Sequence, residues 1–184
     1  MEGPAVVLQG NPQRNQTDFS GALTFMPSLR ICKIFTFDAA HQLVGHLAKC
    51  ANLHGHTYTL EVVISGEPAG PEHPSDEGFV MDFAKLKRVV KERVVDVFDH
   101  AFIAMGNEPV LDPLRASGSK VAVLGFRTTA ENMALYICQQ LKQAALPVYS
   151  VKLWETPSAW AEVYATDIPD NGPDYKVSGG CDLE

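Results

Sequence analysis

Residues 54–66 read "HGHTYTLEVVISG", and apolar and polar side chains alternate along most of this stretch. His54 and His56 fall on one face together with Tyr58 and Leu60, and the residues between them fall on the other. Side chains of a β-strand alternate between its two faces, so this pattern is typical of a half-buried strand. The sequence therefore predicts a strand whose apolar, inward face begins with two histidines.

A second alternating run precedes this strand. Residues 30–41 read "RICKIFTFDAAH" and place Phe35 and Phe37 on the same face as His41. The connecting residues, 42–53, contain a cysteine, Cys50, and have no strand periodicity. We expect the two runs to pair as a hairpin, so that the histidine ending the first strand lies near the two that begin the second.

Two amphipathic helices are predicted farther along the chain. In residues 81–98, apolar side chains recur at helical spacing behind Asp82, which can serve as the N-cap. In residues 128–143, Thr128 and Glu131 have the spacing of a capping box before another periodic apolar run. Each helix is thus predicted to have one apolar face for a core.

A second hairpin is predicted near the C-terminal end. Residues 148–156 and 159–167 both alternate, and they are separated by Pro157 and Ser158. The long stretch 101–127 is irregular, although its "KVAVLGF" segment could form a short strand. The predicted order of elements is therefore ββααββ.

That order favours an α+β domain with an antiparallel sheet and two helices on one face. Four short strands leave unpaired edges, which can be removed by closing a barrel from several chains. We therefore expect an oligomer. We assign residues 29–167 to the domain, 1–28 to a flexible N-terminal extension and 168–184 to a polar C-terminal tail.

The amino-acid composition of the chain argues against several classes of function. The 184 residues are 46% hydrophobic, enough for one sizeable core, and the formal net charge of −7 comes without a basic cluster. This argues against nucleic acid or an anionic membrane as the main partner. No apolar run is long enough for a membrane span, and the first thirty residues lack a continuous apolar signal segment. We expect a soluble, cytoplasmic protein.

The four cysteines are scattered without CxxC spacing, which favours free thiols. Cys32 and Cys138 lie in apolar segments, where packing is the simplest interpretation, and Cys181 lies in the polar tail. Cys50 differs because it lies four positions before His54. From spacing alone, it is either a metal ligand or a reactive thiol beside the metal.

Three histidines form the predicted metal site. His54 and His56 point to the same side of one strand, and His41 comes from its neighbour. Neutral imidazoles suit zinc, and three protein ligands leave the open position of a catalytic site, although nickel, copper and iron remain alternatives. The other interpretation is that one or two of these side chains only form local hydrogen bonds. His46 is a competing loop ligand, whereas His73 fits a solvated surface residue.

The chain resembles the 6-pyruvoyl-tetrahydropterin synthase family, and more closely its bacterial branch, the 6-carboxy-tetrahydropterin synthases of the queuosine pathway. The likeness runs from about residue 31 to 166, with the motifs in family order. These motifs are "FDAAH", "KC", "LHGHTY", "GFVMDFAKLK", "FDHAF", "TTAEN" and "LWETPSAW". The resemblance implies the tunnelling fold, a ββααββ subunit that assembles into barrels, usually a hexamer of two stacked trimers with sites between subunits.

The resemblance also implies residue roles. His41, His54 and His56 would be the Zn²⁺ ligands, Cys50 the catalytic thiol, and Asp99 with His100 the partner pair for proton transfer. Three further residues would bind the pterin substrate: Glu155, Thr129 and Glu131. For Glu131, helix capping is an equally good explanation.

The implied reaction converts 7,8-dihydroneopterin triphosphate to 6-carboxytetrahydropterin, acetaldehyde and triphosphate. The three residues between Cys50 and His54 match the bacterial carboxy-forming branch. The pyruvoyl-forming synthase, which eliminates triphosphate with the same groups, is the alternative. A pterin- or metal-binding protein without turnover is a third possibility, and it would need none of the proton-transfer residues.

Overall fold

The computed structural model describes residues 28–106 and 108–169. The strands are β1 Leu29–His41, β2 His54–Gly66, β3 Ala101–Met105, β4 Val121–Leu124, β5 Val148–Thr156 and β6 Ala159–Tyr164. The helices are α1 Phe83–Val90, α2 Asp96–Phe98, α3 Leu111–Ala116 and α4 Ala130–Gln143. A π-helical turn, Lys91–Val95, joins α1 to α2, and 3-10 turns cover Lys49–Ala51 and Ala165–Asp167. The α+β class is confirmed.

The two predicted hairpins form the centre and one edge of a single sheet. The strand order is β4-β3-β1-β2-β5-β6. β1 pairs antiparallel with β2 from Leu29 opposite Gly66 to His41 opposite His54. β5 pairs antiparallel with both β2 and β6, with a register irregularity near its N-terminal end in the first pairing and near its C-terminal end in the second. The long hairpin thus brings three histidines to one end of the sheet.

The sheet is mixed and six-stranded, which corrects the prediction of an antiparallel sheet of four strands. β3 runs parallel to β1, and β4 runs parallel to β3. The sequence of β3, "AFIAM", is buried at its first four positions on both faces. A strand covered on both faces has no alternation, so periodicity could not reveal it. β4 lies within the "KVAVLGF" segment, in agreement with the short strand that its sequence allows.

Both long helical segments pack on one face of the sheet, as predicted. The face presents alternate residues of β1 and β2, including Phe37, Tyr58 and Leu60, and the helices contribute Leu86 and Ile137, all of them buried in one core. Ring stacking reinforces the centre, since Phe37 and Tyr58 lie 5.0 Å apart between centroids. The core therefore lies between the sheet and a layer of helices formed by α1, α2 and α4. It is on the same face of the sheet as the three histidines.

The helix starts agree only in part with the prediction. The Asp82 carboxylate accepts a hydrogen bond from the Ala84 N–H and is the N-cap of α1, as expected. At α4 the N-cap is Thr129, whose hydroxyl accepts from the Asn132 N–H. The capping box predicted from Thr128 is wrong by one residue, because Thr128 instead faces His41. The helix thus begins one residue later than predicted, because Thr128 contacts His41 and the adjacent Thr129 serves as the cap.

The burial of the cysteines agrees only in part with the prediction. Cys138 is buried in the core as expected, whereas Cys32 is exposed and does not pack in an apolar interior. Cys181 and the predicted terminal segments, 1–28 and 168–184, lie almost wholly outside the described residues and stay predictions. No helix in 28–106 or 108–169 is both long and apolar enough to cross a membrane.

Candidate active site

Three histidine side chains converge at the end of the β1–β2 hairpin. Their ligand nitrogens all lie within 4.8 Å of one another. His41 is opposite His54 in the ladder, and His56 lies two residues farther along the same face. His46, the competing loop ligand, is exposed and outside this group, and His73 is also exposed. The structure therefore brings together His41, His54 and His56.

Backbone carbonyls set the tautomers of two of these rings. His41 Nδ1 lies 2.9 Å from the Thr128 carbonyl oxygen, and His54 Nδ1 lies 2.7 Å from that of Asn52. A carbonyl only accepts hydrogen bonds, so each Nδ1 carries the proton and each Nε2 has a lone pair. The two Nε2 atoms are 3.1 Å apart. With both rings neutral, neither nitrogen can donate to the other, so a cation between them relieves the contact.

The third ring adds an unpaired nitrogen. His56 Nε2 is buried and has no hydrogen-bond partner among the residues that the structure describes. Burial lowers the pKa of His41 to about 4 and also lowers that of His56, although Glu155 opposes the shift at His56. Burial favours the neutral imidazole because the charged ring loses its hydration. His41 and His56 are therefore neutral near pH 7, the form in which imidazole binds metals.

These residues fit a metal ion. Zn–N bonds of about 2.0–2.1 Å at tetrahedral angles place two ligand nitrogens about 3.3 Å apart, close to the observed 3.1 Å. Carbonyl acceptors on the other ring nitrogens are the usual outer partners of histidine ligands. The group can therefore hold a metal, and its chemistry is compatible with zinc.

Glu155 lies beside the histidines near the end of β5. Its Oε1 is 3.7 Å from His41 Nε2 and 3.9 Å from His56 Nε2. Because His41 is neutral, its contact with the carboxylate is not an ion pair. Val151 and Leu153 precede Glu155 on the same apolar face and are fully buried, as the alternation predicts. A carboxylate is thus held at the edge of the site, about half-buried and available to an incoming donor.

Cys50 lies in the 3-10 turn that follows β1. Its carbonyl accepts a hydrogen bond from the Leu43 N–H at 2.8 Å, and the Gln42 side chain donates to the next carbonyl, that of Ala51. The thiol is half-buried. Among the described residues, the group of potential metal ligands around His41 does not include the Cys50 sulfur. The Cys50 sulfur thus lies outside the histidine group, in a loop hydrogen-bonded to the residues that follow His41.

Asp99 and His100 form a second cluster. His100 Nδ1 is 3.1 Å from Asp99 Oδ1, and the His100 ring is 77% exposed. Asp99 Oδ1 accepts from the Asp38 N–H, which with His100 and Lys120 holds the pKa of Asp99 below its usual value. The Asp38 side chain points to the face of the sheet opposite the histidines, because it alternates with Phe37 and His41 along β1. The Asp38 carboxylate also lies close to Asp99 and His100. In the described part of the single chain, the pair and the three histidines thus belong to two different groups of potential metal ligands.

The two residues of the "TTAEN" motif lie at the start of α4. Thr129 is the cap, and Glu131 is exposed in the first helical turn. Glu131 does not hold the position a capping box requires, since the residue three after the cap is Asn132. No contact in the structure assigns either residue to a ligand. Their predicted binding roles stay predictions.

The sequence reading missed three residues that shape these clusters. The Thr128 and Asn52 carbonyls orient two histidines, and backbone acceptors leave no signature in residue type. Asp38 holds both parts of the second cluster, since its N–H donates to Asp99 and its carbonyl accepts from His100. Asp38 lies within "FDAAH", so the motif marked the position but not the role.

Known proteins match most of the described domain. A sequence model of the 6-pyruvoyl tetrahydropterin synthase family matches residues 30–166. The 6-carboxy-5,6,7,8-tetrahydropterin synthase of Haemophilus influenzae is 44% identical over 138 residues, which cover 72% of this chain and 96% of the relative. The Aquifex aeolicus protein of the same name is 32% identical over 160 residues, covering 72% and 95%.

A solved structure agrees with these relatives. The 6-pyruvoyl tetrahydropterin synthase of Caenorhabditis elegans superposes with a TM-score of 0.56 and is 26% identical. The match covers 76% of this chain and 96% of that chain. The likeness therefore extends over the mixed sheet and its helices. With a family match over residues 30–166 and relatives above 30% identity, the chain belongs to the 6-pyruvoyl tetrahydropterin synthase family.

Proposed function

We propose that the protein is a zinc-dependent 6-carboxy-5,6,7,8-tetrahydropterin synthase. The reaction consumes 7,8-dihydroneopterin triphosphate and water and releases 6-carboxytetrahydropterin, acetaldehyde and triphosphate. The name comes from relatives such as the Haemophilus influenzae protein. The observation that carries the proposal is the convergence of three imidazole nitrogens on one point beside Glu155.

His41, His54 and His56 would hold the Zn²⁺ ion. Bound there, zinc supplies Lewis-acid polarisation of the oxygens on the substrate's side chain. The carbonyls of Thr128 and Asn52 keep the rings in the tautomers that present Nε2. These residues therefore define where the reacting end of the substrate binds.

Glu155 binds the other end of the substrate. A pterin ring presents a ring N–H and an amino group side by side, and one carboxylate can accept both hydrogen bonds. Glu155 is held at the end of the buried face that includes Leu153, within 4 Å of two of the histidine nitrogens. Thr129 and Glu131 are proposed as further pterin contacts because they lie at the start of α4, whose preceding carbonyl binds His41.

Proton transfer is assigned to Cys50 and to the Asp99–His100 pair. Removing a proton beside a developing carbonyl needs a base, and returning it elsewhere needs an acid. The Asp99 carboxylate orients the His100 ring through Nδ1, which leaves Nε2 to exchange a proton. Cys50 acts from the other side of the substrate. Each such group typically contributes about 10²–10⁴-fold in rate.

The opposite-face arrangement supports a site shared between subunits. If the pair of one chain serves the histidines of a neighbour, a homo-oligomer is required, and we propose the hexameric barrel. Among the described residues, the outer strands β4 and β6 each have one unpaired edge, and assembly would cover these edges. Mixing inactive Cys50→Ala and His100→Ala chains tests this, because random assembly would restore about a quarter of the shared sites. No recovery after co-refolding would argue for a site within one chain.

Product analysis tests the reaction. We would incubate the zinc-loaded protein with 7,8-dihydroneopterin triphosphate and identify the products by mass spectrometry. Acetaldehyde with a carboxypterin supports the proposal, and a pyruvoyl product identifies the alternative synthase. Substrate binding without turnover would identify a binding protein. We place the reaction in the cytoplasm and its product in queuosine or another deazapurine pathway, which metabolite analysis of a deletion strain would test.

A further inference from the structure

Lys120 lies where helix α2 ends and the Asp99–His100 pair begins. Its Nζ donates to the carbonyl oxygens of Asp96 and Asp99, each at 2.8 Å. Its own carbonyl accepts from the Phe102 N–H at 2.9 Å, which fixes the base of the side chain to β3. The lysine therefore connects the end of the helix to the parallel part of the sheet, which periodicity did not reveal.

A lysine suits this position for two reasons. The last carbonyls of a helix have no intrahelical partner and carry the negative end of the helix dipole, so a cation is favourable there. In addition, the chain turns sharply after α2, with Asp99 in an extended conformation and His100 at φ +58°. A residue other than glycine is strained in that region and persists only when its surroundings hold it.

Three hydrogen bonds tie this turn to β1 and to Lys120, in addition to the Asp99 N–H that donates to the Val95 carbonyl at 2.8 Å. The Asp38 N–H donates to Asp99 Oδ1 at 3.0 Å, and the Asp38 carbonyl accepts from the His100 N–H at 2.7 Å. The third is the Lys120 ammonium on the Asp99 carbonyl. The first two use the Asp38 backbone, which substitution leaves in place. Lys120 supplies an anchor that can be removed by a side-chain substitution outside the Asp99–His100 pair.

We propose that Lys120 is a positioning residue that sets the orientation of Asp99 and His100 by holding the Asp99 carbonyl at the end of α2. This rests on the proposed catalytic function of the pair. Lys120 and His100 line the same open cleft, of about 640 Å³. The lysine acts through the backbone of Asp99 and does not contact the substrate.

Lys91 offers a matched control. Its Nζ lies 3.3 Å from Asp96 Oδ1 at the same helix end, but among the described residues no hydrogen bond or ion pair joins it to Asp99. Lys120→Met is expected to lower kcat about 10- to 100-fold with KM changed less than twofold, because small misplacements of a catalytic group have effects of this size. Lys91→Met should stay within twofold of the wild type. Lys120→Arg should recover part of the loss.

A double-mutant cycle tests whether the lysine acts through the pair. In an Asp99→Asn background, Lys120→Met should cause little further loss, since the group it orients is already impaired. The proposal would be overturned if Lys120→Met lowered kcat by the same factor in the Asp99→Asn background as in the wild type. A rise in KM with kcat unchanged would also overturn it, because it would indicate direct contact with the substrate phosphates.

Hydrogen exchange supplies a readout that needs no activity. In Lys120→Met, the amides of Asp99 and His100 should exchange at least tenfold faster, while those in the β1–β2 ladder stay unchanged. Unchanged exchange at His100 would overturn the proposal. If the wild type forms no carboxypterin, the proposed function fails, yet the exchange result still decides whether Lys120 holds this turn.

Discussion

Replacing His54 with glutamine tests the metal site most directly. The substitution keeps a polar side chain of similar length but removes the Nε2 that lies 3.1 Å from His41 Nε2. Apparent binding free energies of about 10–16 kcal/mol for structural zinc correspond to about 3 kcal/mol per ligand. Loss of one ligand should therefore weaken metal binding about 100-fold, since 1.4 kcal/mol is about tenfold.

This loss has a predictable effect on stability. Metal at about 1,000 times Kd stabilises the folded chain by about 4.1 kcal/mol, and at about 10 times Kd by about 1.4 kcal/mol. His54→Gln should therefore be about 2.7 kcal/mol less stable than the wild type in that metal concentration. For a chain of this size, the corresponding fall in Tm is roughly 5–10 °C.

Thermal unfolding with metal and with chelator, together with metal content by mass spectrometry, measures both effects. In chelator the difference should vanish or reverse, because the variant no longer has two lone pairs facing each other. His46→Gln is the matched control, since His46 is exposed and outside the ligand group. An unchanged metal content in His54→Gln, or an equal loss in the control, would refute the assignment.

Three further predictions concern the thiol, the helix cap and a buried carboxyl. Cys50→Ala should lower turnover at least about 100-fold and retain one metal per chain, and metal loss would make Cys50 a ligand. Thr129→Ala should cost about 1 kcal/mol in the free energy of unfolding, because it removes the α4 cap, whereas Glu131→Ala should cost less than about 0.5 kcal/mol. Denaturant titration measures both, and equal costs would restore the capping role of Glu131. Burial raises the pKa of Glu108 in the folded chain above the value of about 4.5 that it has in the unfolded chain. The contribution of Glu108 to the free energy of unfolding is therefore favourable below about pH 4.5 and is lost as the pH rises through the pKa of the folded chain. Glu108→Gln should therefore be more stabilising at pH 7.5 than at pH 4, and a pH-independent difference between the two unfolding curves would contradict this.

The predicted hairpin and helices came from patterns that are local along the chain. Alternation in β1 and β2 identified the buried face, and the same alternation placed His41, His54 and His56 on it. These inferences held because a half-exposed strand must separate apolar from polar residues. The motif order around Cys50 and Glu155 identified the family, which the comparisons confirm.

Other features arise from contacts between distant residues. β3 is apolar on both faces, so only its pairing with β1 and β4 shows that it is a parallel strand. The His41 tautomer depends on a carbonyl 87 residues away, and backbone carbonyls are alike in every residue type.

The sequence alone determined the strand faces, the histidine set and the family, because side-chain type and spacing encode them. Tertiary structure decided which ring nitrogens face one another and on which face of the sheet Asp99 and His100 lie. It also placed the Lys120 ammonium within hydrogen-bond distance of the Asp99 carbonyl. These features depend on distances between backbone and side-chain atoms that are far apart along the chain, and such distances exist only once the chain has folded.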